Sequence, residues 1–218
     1  MKKTLFIVFL SIITSNLTVL AKNDSELMES KKCSNMFSYF EQKHNIPQNT
    51  LHAISLRETQ KAHSKHRIGI VWPWTITVNP SGKGYHFKTR DEALKFAKET
   101  LAKGKGSIDV GCMQINLKYH PDAFDSIEDA FSPQKNVAYG ATFLKEKHRQ
   151  HGNWEKAIGS YHSSTPKKAA SYHAKVKKTS NNMDAYKKSL AKIENASYKK
   201  TTASKQKFKK PETKKLQI

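Results

Sequence analysis

Cysteine occurs only twice and arginine only four times among 218 residues, and 18 acidic side chains face 39 basic ones. Two cysteines are too few for a disulfide-dense miniprotein or a four-cysteine zinc site. Nine glycines and seven prolines exclude collagen-like and low-complexity chains. No uninterrupted apolar run approaches the ~20 residues that a membrane-spanning helix needs. What remains is an ordinary domain composition. The chain is 37% hydrophobic, with ten Phe, eight Tyr and three Trp, enough to build a core, and its length suits one domain with tails.

The formal charge of +21 comes almost entirely from lysine. Such a balance attracts anionic surfaces: nucleic acid, phospholipid or cell-wall polymer. Scarcity of the planar arginine fork argues against reading a base sequence, so no specific nucleic-acid partner is expected.

Lys2 and Lys3 precede the apolar stretch Leu5 to Leu10 with Ile12 and Ile13, and Val19-Leu20-Ala21 ends it. This pattern predicts a secretory signal peptide over residues 1–21, cleaved after Ala21, and hence a periplasmic or secreted protein. An uncleaved anchor is the alternative, opposed by Ser11, Thr14, Ser15, Asn16 and Thr18 inside the stretch. In an oxidising compartment Cys33 and Cys112 read as a disulfide closing a loop of about 80 residues, worth about 4 kcal/mol by chain entropy. A catalytic thiol is the other reading, with no cysteine-protease signature around either residue.

Residues 22–30 read as a flexible lead-in. Met36, Phe37 and Phe40 predict a helix near 34–44, and Asn49-Thr50 are placed to cap a second one bearing Leu51, Ile54, Ser55 and Glu58. Val71 to Val78, the turn chemistry of 79–84 and Tyr85 to Phe87 predict a small β-hairpin. Thr89 to Glu92 forms a capping box, and a loop follows over 107–116. Ser132-Pro133 and Asn153 start two further helices, and Tyr172 and Val176 are suited to closing the core. From Lys178 on, twelve lysines face three acidic residues; this lysine-rich tail, 178–218, is expected to be disordered or only partly helical. The fold class is therefore mainly α (α+β), with the domain over residues 31–177.

Glu58 stands four residues after Ile54 and seven after Leu51, on an apolar helix side where burial raises a carboxyl pKa. Such a group can remain protonated near neutrality and give its proton to a leaving oxygen. A solvated glutamate paired with Arg57 or Lys61 is the plainer reading. Gln114 and Asn116 are able to hydrogen-bond an uncharged polyhydroxy or acetamido substrate, or simply to cap turns. Tyr119 and His120 read as ligands or ordinary loop residues, and Tyr161 as a positioning hydroxyl or core filler. His63 and His66 lack a third ligand at metal spacing and no HExxH occurs, so neither a metal site nor a cofactor is expected.

Four segments, in order, carry a resemblance. Ile54-Ser-Leu-Arg-Glu58-Thr59, Gly111-Cys-Met-Gln-Ile-Asn116, Pro133-Gln-Lys-Asn136 and Ala157-Ile-Gly-Ser-Tyr161-His162-Ser163 together resemble the soluble lytic transglycosylase domain, with its lysozyme-like fold. The likeness covers about residues 33–177. It is strongest to a compact periplasmic subgroup having a Trp-Pro-Trp-Thr segment and a cysteine inside the second motif. The resemblance implies non-hydrolytic cleavage of the β-1,4 bond from N-acetylmuramic acid to N-acetylglucosamine in peptidoglycan. It makes Glu58 the single acid/base, forming a 1,6-anhydro product, and matches Met113, Gln114, Asn136 and Tyr161 to cleft-lining or supporting positions. Asn116 and His162 complete the expected substrate-binding set; His162 replaces an asparagine common in the family, and Thr59 a serine. A lysozyme-type hydrolase and a non-catalytic wall- or DNA-binding protein are the alternatives. Peptidoglycan strands are the expected partner of a monomer, and small size leans towards service to a secretion, conjugation or flagellar machine.

Overall fold

Four helices begin where a short polar side chain satisfies their first N–H groups, as seen in a computed structural model describing residues 25–104 and 106–208. Helix α1 covers residues 25–44 and α2 is Thr50–Thr59. The strands β1 (Lys61–Ala62), β2 (Gly69–Ile70), β3 (Thr75–Asn79) and β4 (Lys83–His86) follow. After α3 (Arg90–Ala102) come β5 (Ser107–Val110) and β6 (Ile115–Asn116). The chain ends in α4 (Ile127–Ala130), α5 (Pro133–His151), α6 (Trp154–His162), α7 (Pro166–Asn181) and α8 (Met183–Phe208). Residues 28–184 form one compact unit, and α8 from Ala185 on lies outside it.

The caps of α3, α5 and α6 are those expected. Thr89 accepts from Glu92 N, Ser132 from Lys135 N, and Asn153 from both Glu155 N and Lys156 N. Pro133 opens α5, and Gly152, left-handed at φ 65°, closes it. The start of α2 differs. Asn49 is itself left-handed and its side chain makes no cap; instead the buried Glu41 carboxylate on α1 accepts from Asn49 N at 3.0 Å and Leu51 N at 2.8 Å. A negative charge at the positive end of α2 does the capping from another helix, which sequence spacing does not reveal.

The hairpin expected over 71–88 forms as β3 and β4, paired from Thr75↔His86 to Val78↔Lys83. It extends into an antiparallel sheet of order β4-β3-β5-β6, because the segment read as a loop over 107–116 is a second hairpin. Ile76 pairs with Val110 and Asp109 with Asn116. Ile76, Ile108, Val110 and Ile115 thus join Leu51, Ile54, Val137 and Leu144 in the core. Both tryptophans of Trp72-Pro73-Trp74 are buried with their N–H groups satisfied, by Phe87 O at 2.7 Å and Glu29 Oε2 at 2.6 Å. The Cys33–Cys112 disulfide ties α1 to the turn between β5 and β6 across 79 residues.

Two expectations about the ends are corrected. Residues 25–30, assigned to a flexible lead-in, belong to α1, where Glu29 holds the Trp74 indole and Ser30 is buried. Residues 178–208, expected to be disordered or only partly helical, are helical in α7 and α8 apart from Asn182. Lysine and alanine are good helix formers, and Met183, Tyr186, Leu190 and Ile193 recur at three- and four-residue steps that the lysine excess obscures. Residues 22–24, the expected signal peptide over 1–21 and positions 209–218 lie outside the described residues. No helix among the described residues is long and apolar enough to cross a membrane.

Replacing Glu41 by alanine removes the acceptor of the buried Leu51 N–H and of the part-buried Asn49 N–H at the start of α2, and is expected to lower unfolding free energy by about 2 kcal/mol in denaturant titration. A loss below about 0.5 kcal/mol would show that the carboxylate does not hold α2 in place.

Candidate active site

The polar side of α2 carries the fastenings of the site. Ser55 Oγ donates to Cys112 O at 2.7 Å, binding α2 to the β5–β6 turn. Thr59 Oγ1 donates to Ser55 O and accepts from Trp72 N at 3.1 Å, so the hydroxyl beside Glu58 anchors the last helical turn to the strand region. Glu58 leaves α2 between these two anchors.

The β5–β6 turn is shaped by glycine. Gly111 has φ 80°, and a Cβ there would meet the Asn136 amide at 2.4 Å. Asn136 fills that space: its Oδ1 accepts from Met113 N, and its Nδ2 donates to Val110 O and Ala130 O. Asn136 and Met113 are both wholly buried. Of the cleft-lining or supporting positions that the resemblance implies, they take the supporting one. Each lies behind the site, one as a backbone fastener and the other as packing against Gly140, where a Cβ would sit 2.8 Å from Met113.

Glu58, Gln114, Asn116, Tyr161 and His162 come together around one groove of about 650 Å³, with Thr77, Asn79, Asp109, Tyr119, His120 and Phe143. Gln114, left-handed at φ 50°, is held on both ends of its amide. It donates to Thr75 O and Gly111 O and accepts from Thr77 Oγ1. Asn116 donates to Asp109 Oδ1 at 2.6 Å and to Ser107 Oγ, and its oxygen accepts from Lys118 N and Tyr119 N. Asn79 Nδ2 donates to Asp109 Oδ2 at 2.8 Å. Asp109 is thereby fixed by two amides as the groove's second carboxylate. Tyr161 donates to Met113 O at 2.8 Å.

Glu58 itself is partly buried at the floor of the groove. Burial raises its carboxyl pKa to about 7, and the Asp109 charge adds to the rise; a hydrogen bond from Tyr172 and the Arg57 charge oppose it. Tyr172 Oη, buried on α7, donates to Glu58 Oε1 at 2.5 Å, while Oε2 has no hydrogen-bond partner among the described residues. The His162 ring stacks on Tyr172, 4.6 Å between centroids and 6° from parallel, and burial followed by the Lys168 and Lys175 charges holds its pKa down. The phenols of Tyr161 and Tyr172 are held far above their usual range, by burial first and then by the Glu58 charge.

Sequence reasoning took Tyr172 as core filler. Its place four residues before Val176 fits that role, and nothing local announces a partner 114 positions away. Asp109 lies within the 107–116 segment that the sequence presents only as a loop, and Asn79 within the turn chemistry of 79–84; neither announces the clamp between them. His63 and His66 lie 4.9 Å apart ring to ring, and no group of three or more metal-ligating side chains occurs among the described residues.

One acid is thus poised between its neutral and charged forms near pH 7, in a polar groove and beside a tyrosine donor. That arrangement suits proton transfer to and from a polyhydroxy substrate. No curated protein and no solved structure matches the chain. A family model, the transglycosylase SLT domain, matches residues 35–184. That span takes in α2, the groove and Tyr172, and the chain belongs to the transglycosylase SLT domain family, lytic enzymes of peptidoglycan with a lysozyme-like fold.

Proposed function

We propose that this protein cleaves the bond from N-acetylmuramic acid to N-acetylglucosamine without water, leaving a 1,6-anhydromuramyl end, with Glu58 as its only acid/base. The observation that carries this reading is the state of Glu58: a carboxyl of pKa about 7 at the floor of the groove, one oxygen held by Tyr172 and the other without a hydrogen-bond partner among the described residues.

The chemistry follows in two steps. Protonated Glu58 gives its hydrogen to the glycosidic oxygen as the bond to C1 breaks, and the muramyl acetamido oxygen closes on C1. The carboxylate left behind accepts a hydrogen bond from Tyr172, which limits the cost of a charge in a buried place. Glu58 then removes the proton of the C6 hydroxyl, whose oxygen attacks C1 and reopens the acetamido ring. No water is consumed and Glu58 returns to its starting form. The usual pair of carboxylates is unnecessary, since the substrate supplies the nucleophile in both steps. The locked Asp109 charge faces the same groove and favours the cation that develops at C1. Gln114, Asn116, Tyr161 and His162 line the path of the glycan. The protein acts outside the cytoplasm after removal of residues 1–21, and opens the wall for an envelope-spanning machine.

Asp109 also favours a second reading, hydrolysis, in which it would orient a water against C1. Product mass separates the two, because an anhydro end is lighter than a reducing end by one water. Digests of peptidoglycan are expected to give anhydro ends. Glu58→Gln is expected to abolish them, by about a thousandfold or more in rate, while the protein still binds wall material. Reducing ends from the unaltered protein would establish hydrolysis; anhydro product from Glu58→Gln would remove Glu58 from the mechanism.

The first step needs the protonated acid, so kcat/KM is expected to fall tenfold per pH unit above about 7. Tyr172 lowers the Glu58 pKa by its hydrogen bond. Tyr172→Phe should therefore move the falling limb to higher pH while reducing kcat. A limb that stays in place or moves to lower pH in the pH–rate profile would contradict the role given to Tyr172.

A further inference from the structure

Glu58 and His162 line a second pocket, of about 420 Å³, on the α7 side of the site. Its remaining walls are Arg57, Lys167, Lys168, Ser171, Tyr172 and Lys175. Where the glycan groove is walled by amides, hydroxyls and Asp109, this pocket has four cations and no carboxylate other than Glu58, which is half protonated at about pH 7.

Helical spacing makes the concentration of charge. Lys168 precedes Tyr172 by one turn and Lys175 follows it by nearly one, so the Cβ atoms of both stand about 5–6 Å from that of the hydroxyl-bearing residue that grips Glu58. Lys177 on the same helix pairs with Glu155 at 3.1 Å. Lys167, Lys168, Lys175 and Arg57 form no salt bridge among the described residues. Four like charges converging unpaired on a concave surface repel one another, a cost that a bound anion removes. The occupant must also be continuous with the reacting sugar, since the pocket and the groove share Glu58 and His162. A peptidoglycan strand carries such a group: the lactyl ether of each muramyl residue bears a short peptide with free carboxylates.

We propose that the α7 pocket binds the carboxylates of the strand's peptide, making the enzyme selective for peptide-bearing over bare glycan. The inference rests on the groove's taking glycan, as set out above. Lysine ammonium groups act as mobile point charges and suit carboxylates whose positions vary along a flexible peptide.

The test compares kcat/KM on two substrates, isolated glycan strands with peptides intact and the same strands stripped by an amidase. For the unaltered protein the ratio of intact to stripped is expected to reach about tenfold, equivalent to about 1.4 kcal/mol, and to shrink as salt is raised to ~0.5 M. Lys167→Gln/Lys168→Gln/Lys175→Gln is expected to bring the ratio to within about twofold of one, and Lys168→Glu alone to lower it severalfold. Cleavage of stripped strands by each variant, with a thermal melt, shows that it is folded. A ratio equal in the unaltered protein and the triple variant would overturn the pocket while leaving the anhydro-forming reaction standing. Failure of the unaltered protein to cleave either substrate would overturn the reading of the groove, and this inference with it.

Discussion

The Glu58 carboxyl is pulled in two directions, and the site is organised around that opposition. Burial disfavours its charged form and raises its pKa, while the Tyr172 hydroxyl favours the charge and lowers it. The outcome, about 7, leaves both forms accessible near neutrality. A carboxyl in water would already be ionised and unable to donate; one buried without a donor would resist losing its proton. A group that must act first as acid and then as base needs the intermediate condition.

Holding that balance requires fixed distances, which explains how polar groups are used around the groove. Asn136 uses its amide on three backbone partners, Gln114 on two backbone carbonyls and the Thr77 hydroxyl, and Asn116 is engaged at both ends. Ser55 and the Cys33–Cys112 disulfide bind α2 and α1 to the same β5–β6 turn, and Thr59 ties the end of α2 to Trp72. Much of what a motif search marks as substrate-binding is therefore scaffolding that keeps Glu58 and Tyr172 in register. Buried polar groups with every partner satisfied give a rigid wall, which is what preorganised proton transfer needs.

The sequence carried the parts whose physics is local. Capping of α3, α5 and α6 follows from Thr89, Ser132 and Asn153 and the residues just after them, whereas spacing to Leu51 and Ile54 left Glu58 open between a buried and a solvated side. Non-local physics was hidden. Glu41 caps α2 from α1, Tyr172 reaches Glu58 from α7, and Asn79 clamps Asp109 across the sheet; each pairing depends on the assembled fold. The ends misled for a different reason. Lysine excess in 178–208 and polarity in 22–30 resemble disorder in composition, while helix propensity and a sparse apolar stripe act in the other direction.

The central claim is the ionisation of one carboxyl. Carbon-13 NMR of the side-chain carboxyl carbons of Glu58, assigned through the spectrum of Glu58→Gln, measures it directly. The account predicts a midpoint near 7, about two and a half units above an ordinary glutamate. A midpoint near the ordinary 4.5 would mean that Glu58 is ionised throughout the neutral range, and the acid step assigned to it would have to be abandoned.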